Sequence, residues 1–168
     1  VVAKNEKFRN FFVSKLQDRE VYKQYEAIVV GQVIGSFSID HPLERDPRNR
    51  LKMRVTDFGR DALSHISLKK FYGGYSHVCV EIETGRTHQI RVHLSNQKLP
   101  IIGDRLYNPR NLIAKNTSKD LISHIQNFPR QALHASKIRF PSIKKDDIFC
   151  EFQVDIPKDM QSLIKEME

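Results

Sequence analysis

The spacing of apolar residues changes period several times along the chain, and each change predicts a new element. Phe8, Phe11, Phe12 and Leu16 recur at helical intervals behind Asn5, a residue suited to capping a helix N-terminus. "VYKQYEAIVVG" then reads as a strand ending at Gly31, and "GSFSID" as its hairpin return. A further strand is predicted from Ala62 to Lys69. The glycines of "FYGGYS" supply a turn, since glycine accepts positive φ without steric cost, and Val78, Val80 and Ile82 alternate through "SHVCVEIE". "TSKDLISHIQNF" joins a Thr/Ser cap to a short amphipathic repeat closed by Pro129. "ALHASKIRF" and "IFCEFQVDI" read as strands, the second with Ile148, Cys150, Phe152 and Val154 on one face. Pro157 opens a last helix bearing Met160, Leu163, Ile164 and Met167. The pattern predicts one α+β domain over residues 1–168, with a mainly antiparallel sheet, flanking helices and no internal repeat. The opening "VVA" reads as the tail of a buried strand, which implies upstream chain to supply its backbone partners.

Composition narrows the class. With 39% hydrophobic and 29% charged residues, 168 residues can bury a real core, and no apolar run approaches the length a membrane span needs. No secretory pattern opens the chain, and a cytoplasmic location is expected. Cys79 and Cys150 both lie in apolar-alternating runs, which predicts two buried thiols in a reducing compartment; neither has a second cysteine at zinc-ligand spacing, so no metal is expected. The net charge of +8 favours a polyanionic partner. It is concentrated in "ERDPRNRLKMR", where Arg45, Arg48, Arg50, Lys52 and Arg54 crowd one turn-like segment. That segment is either a solvated loop or a phosphate-contacting surface.

The densest chemistry lies in "ETGRTHQIRVHLSNQKLPIIGDRLYNP". Its periodicity is ambiguous: Ile90, Val92 and Leu94 alternate like a strand, whereas Ile90, Leu94 and Gln97 share a helical face. Thr87, following Gly85, acts as the expected cap and tips the reading toward a helix start. Arg91 then lies in the first turns, beside an N-terminus that attracts anions. On the residues alone, Arg86 and Arg91 serve equally well as surface ion-pairing groups. His88 and His93 are five positions apart, which does not suit a shared metal on one helix face.

"GRTHQIRVHL", followed in order by "LPIIGDRLY" and "ALHASKIRF", resembles the RluA family of RNA pseudouridine synthases. "VVAKN", "YKQYEAIVVG", "HPLERDPRNRLKM" and "GRDA" agree as well, so the resemblance runs over nearly the whole chain. It implies a cofactor-free enzyme that binds folded RNA, ribosomal or transfer, and flips a uridine out of its stack. The base is then detached, turned and rejoined to the sugar through carbon. By the same resemblance Tyr25 stacks on the flipped base, Arg91 pairs with a nucleophilic aspartate, and Leu133 lines the pocket. Arg86 and the basic segment would meet the RNA backbone.

One departure follows. The family's aspartate stands in an "HRLD"-type motif ahead of the "AKN" element, and this chain begins at "VVAKN". Neither Asp46 nor Asp104 stands in that context, so neither is taken as the nucleophile. The expectation is a pseudouridine synthase catalytic fold lacking its N-terminal part, and inactive alone. A non-catalytic RNA-binding module, or a structural partner completed by another chain, are the competing readings.

Overall fold

A computed structural model describes residues 1–144 and 148–168. Its centre is a six-stranded antiparallel sheet of β1 (Tyr22–Val30), β2 (Ser36–Asp40), β5 (Leu63–Phe71), β6 (Tyr75–Ile82), β7 (Leu133–Pro141) and β8 (Phe149–Gln153), in the order β2-β5-β6-β1-β7-β8. A separate two-stranded hairpin joins β3 (Leu43–Arg45) to β4 (Met53–Val55). The helices are α1 (Glu6–Gln17), α2 (Gln89–Asn96), α3 (Lys119–Gln126) and α4 (Lys158–Met167). This is the expected α+β arrangement with a mainly antiparallel sheet.

β1 is an interior strand because Ala27, Ile28 and Val29 are all buried, which requires cover on both faces. It pairs with β6 on one side and β7 on the other, so it has no edge left for "GSFSID". The expected hairpin return is therefore corrected. β2 crosses over and pairs with β5, from Ser36 opposite Ser67 to Asp40 opposite Leu63. The main core joins Ile28, Val29, Ile66, Val78 and Val80 of the sheet to Ile90 and Leu94 of α2, Leu121 and Ile125 of α3, and Met160 and Leu163 of α4.

The caps follow the sequence in two helices. Asn5 accepts the Phe8 amide at 2.8 Å, and Ser118 accepts that of Leu121 at 3.2 Å. Phe8 and Phe12 of α1 pack on Phe140, with ring centroids 6.2 and 5.1 Å apart, and Phe140 stacks on Phe152 at 6.0 Å. Leu16, expected on the same face, is exposed.

Three further expectations change. Val1 and Val2 are exposed and irregular rather than part of a buried strand. Cys79 and Cys150 are half-buried. The apolar alternation of β8 does not make a buried face either: Ile148, Phe152 and Val154 are exposed, so that face is left uncovered.

Candidate active site

The turn before α2 is built around Gln89, which is buried and uses all four of its hydrogen-bonding positions. Its Oε1 accepts the Arg86 amide at 3.0 Å and the Thr84 hydroxyl at 2.8 Å. Its Nε2 donates to the Leu63 carbonyl at 2.9 Å and to Ser64 Oγ at 3.0 Å. Thr87 is not the cap. His88 occupies that position in a left-handed conformation, φ 57°, with no side-chain cap bond. Gln89, reaching back into the turn, supplies the satisfaction that a capping hydroxyl would have given.

Below it, His93 is fully buried on the inner side of α2. His93 Nε2–H donates to the His41 carbonyl at 3.0 Å, which leaves Nδ1 of the neutral ring to accept from Ser64 Oγ at 2.9 Å, while Ser64 Oγ accepts from Gln89. Burial pushes the His93 pKa down, which fits this neutral tautomer.

Arg91 points the other way, into a two-pronged pair with Asp104: Nε to Oδ2 and Nη2 to Oδ1, each 2.7 Å. Asp104 also accepts the amides of Leu106 and Tyr107 at 3.0 Å. Burial alone would raise the carboxyl's pKa, but the guanidinium and the two amides outweigh it and hold Asp104 below its ordinary value. Arg91 is raised in return, chiefly by its hydrogen bonds to Asp104. The chain reaches this position through Gly103, φ 73°, where a Cβ would lie 2.1 Å from the Arg130 carbonyl oxygen. Only glycine fits there.

Tyr107 ties this pair to the basic hairpin. The Arg91 guanidinium lies 4.9 Å from its ring centroid. Its hydroxyl accepts the Met53 amide of β4 at 2.8 Å and shares a hydrogen bond with His88 Nδ1 at 3.0 Å. The hairpin is therefore bonded to the same tyrosine whose ring lies against Arg91. On the hairpin itself Arg45, Arg48, Arg50 and Arg54 are exposed and Lys52 is half-buried. Arg54 Nε donates to Glu44 at 2.9 Å, and Arg45 donates to the Arg50 carbonyl. Arg86 is half-buried, its Nε bonded to the Asp61 carbonyl at 3.0 Å. A cavity of about 580 Å³ opens between the hairpin and the Gly85–Thr87 turn, and Arg45 and Arg86 line it. Of the residues expected to meet RNA, those two share this cavity; Arg48, Arg50, Lys52 and Arg54 lie outside its lining.

Tyr25 and Leu133 come together on the sheet. Tyr25 stands opposite Val80 of β6 and Ala135 of β7, and Ala27 stands opposite Leu133. Directly opposed residues share a face, so Tyr25 and Leu133 are diagonal neighbours on one side. Both pack at the margin of the main core. The register slips between Gln24 and Tyr25, and Ala135 opposite the tyrosine is exposed. Burial raises the Tyr25 pKa. Among the described residues its hydroxyl has no hydrogen-bond partner, and no bond links it to Arg91. The sequence does not reveal the two networks that fix this turn, Gln89 with Ser64 and His93 on one side and Arg91 with Asp104 and Tyr107 on the other. The "GRTHQIRVHL" and "GD" elements are their traces in the sequence.

Among the described residues no group of three or more His, Cys, Asp or Glu side chains could hold a metal ion, and no helix is long and apolar enough to cross a membrane.

The family model described as RNA pseudouridylate synthase matches residues 1–96. Ribosomal large subunit pseudouridine synthase D of Xanthomonas campestris pv. campestris is 38% identical over 165 residues, covering 98% of this chain and 49% of that protein. The protein of the same description from Escherichia coli K12 is 36% identical over 167 residues, covering 99% of this chain and 51% of its own length. The chain belongs to the RluA family of RNA pseudouridine synthases. It spans about half the length of the curated relatives it matches. In fold it is similar to human RNA Pseudouridylate Synthase Domain Containing 4, with a TM-score of 0.75 at 21% identity over 97% of this chain and 68% of that one. The human domain-containing protein 1 of the same description gives 0.72 at 21% identity, covering 99% and 73%.

Proposed function

We propose that the chain is part of a single catalytic domain that isomerises uridine to pseudouridine in structured RNA, acting without a cofactor in the cytoplasm. The names of its relatives favour ribosomal RNA over transfer RNA as the substrate. In this reading Tyr25 stacks on the flipped base, Leu133 closes the pocket beside it, and Arg91 holds a nucleophilic aspartate supplied from outside the 168 residues. The basic hairpin and Arg86 hold the RNA backbone.

The observation that carries the reading is how Arg91 is held. Asp104 takes Nε and Nη2, and the Tyr107 ring lies against the guanidinium, so the group is fixed in orientation. Its Nη1 makes no hydrogen bond among the described residues and is free for a second carboxylate. A guanidinium so placed would keep that acid ionised in a nucleoside pocket, where burial alone would protonate it. Tyr25 would offer a flat face to the base and a hydroxyl for proton movement.

The test is tritium release from [5-³H]uridine-labelled ribosomal RNA by the full-length gene product and its Arg91→Lys variant. A lysine cannot reproduce the fork, so turnover is expected to fall by at least about a hundredfold with RNA affinity nearly unchanged. Full turnover in R91K refutes the pocket role. The 168-residue chain alone is expected to bind RNA and release no tritium. Binding without release by the full-length product as well would favour the non-catalytic binding module, for which the exposed arginines of the hairpin suffice.

A further inference from the structure

Phe58 is 93% exposed, more than any other large apolar side chain among the described residues. It stands in the turn "TDFGRD" that follows β4, at the rim of the cavity lined by Arg45 and Arg86. The turn is rigidly set. The Leu43 and Arg60 amides and carbonyls exchange bonds of 2.9 and 2.8 Å, the Gly59 amide donates to the Thr56 carbonyl, and the Phe58 amide donates to Thr56 Oγ1. Gly59 lies so close to β3 that a Cβ would meet the Leu43 backbone at 2.6 Å. The turn is thereby pressed onto the hairpin and the ring is turned outward.

Three arginines share the lining of this cavity with Phe58: Arg45, Arg60 and Arg86. Arg60 is exposed, and among the described residues nothing bonds its side chain. Glu44 also lines the cavity, but Arg54 occupies its carboxylate at 2.9 Å. The nearby acids Asp57 and Asp61 are not part of the lining. A protein partner would seat an exposed phenylalanine among other apolar groups, with charge kept to the rim. Here three cations share the lining, with Leu43 and Met53 as the other large apolar members. An exposed aromatic side chain in one cavity with several guanidinium groups suits an unstacked base and its phosphates.

We propose that this cavity is a subsite for a single-stranded nucleotide flanking the target, with its base stacked on Phe58 and its phosphates held by Arg60 and Arg86. The proposal rests on the RNA-binding reading above and deepens it. Tyr25 is not in the lining of this cavity, and the subsite accepts a nucleotide that undergoes no chemistry.

The probe is a short fluorescein-labelled oligouridylate, titrated by anisotropy at several salt concentrations. Phe58→Ala and Phe58→Leu are expected to weaken binding about tenfold with no change in the salt slope, and Phe58→Tyr to keep the affinity. Arg60→Gln is expected to lower the slope by about 0.7, the value for one phosphate contact on a single strand. The chain contains no tryptophan, so Phe58→Trp places a single reporter in the cavity. Its emission should be quenched saturably by the RNA, with the midpoint of the anisotropy curve. Unquenched emission, or a leucine variant that binds as well as the parent, overturns the stacking role. If the parent binds no oligouridylate but binds structured ribosomal RNA, the subsite is wrong and the general reading stands. If it binds neither, both fall.

Discussion

Arg91 and Arg54 are each paired with a carboxylate, yet the two pairs are physically different objects. Arg91 meets Asp104 with side chains 15% and 1% exposed; Arg54 meets Glu44 at 47% and 33%. The first pair is backed by an aromatic ring and two backbone amides, so its charges are desolvated but fully bonded. The second lies in water, where the attraction is screened and the long side chains keep most of their freedom. A buried pair fixes geometry at some cost in desolvation. An exposed pair fixes little and leaves its cation available to a phosphate. The contrast separates the part of this surface that orients from the part that attracts.

Substitutions can break that contrast. The largest effect is expected for Asp104→Ala, which leaves a half-buried guanidinium without its partner and two amides without an acceptor. It should cost about 3–5 kcal/mol, read from urea unfolding. Next comes His93→Gln, which disturbs the bonds to Ser64 and the His41 carbonyl and should cost about 1–3 kcal/mol. Neutralising Arg45, Arg48 and Arg50 together should leave stability within about 0.5 kcal/mol. It should lower the RNA salt slope by about 2, which marks the hairpin as attracting rather than orienting. The smallest effect belongs to Arg54→Ala, about 0–1 kcal/mol. A loss near that of Asp104→Ala would erase the distinction.

Acid should sharpen the same comparison. His77, His88 and His93 all have pKa values lowered, in each case chiefly by burial. The folded state therefore binds fewer protons than the unfolded one. Their contribution is complete above the ordinary histidine value of about 6.5 and is lost as pH falls through the depressed values. Asp104 adds a second decline: its stabilisation is present above about 4 and disappears as pH falls through its lowered pKa. In Asp104→Asn the lower limb should flatten while the upper limb stays. An unchanged lower limb would mean that other carboxylates dominate acid unfolding.

Parts of this were legible in the sequence. Asn5 and Ser118 announced their helices, and the alternation through Val78, Val80 and Ile82 announced β6, because caps and periods are properties of a few adjacent residues. Arg91 was singled out, but its partner was not: Asp104 lies 13 positions away, outside any helical or strand spacing. Thr87 looked like a cap because its type is right, yet the left-handed turn at His88 and the reach of Gln89 do that work. The alternation of β8 was read correctly as a strand and wrongly as a buried face, since period alone does not say whether anything covers it. The same limit hid Phe58, an exposed residue without a periodic context.

By itself the sequence determined where most strands and helices lie, that the chain is basic, and that one segment carries an unusual density of arginine and histidine. Those properties depend on local spacing and composition. Only the tertiary structure decided that β2 joins β5 rather than β1, that Asp104 closes on Arg91, and that Tyr107 hangs the hairpin on the arginine turn. Each of those choices is a pairing between distant positions. It is settled by which edges and donors remain open once β1 has been enclosed, and neighbouring residues carry no record of that.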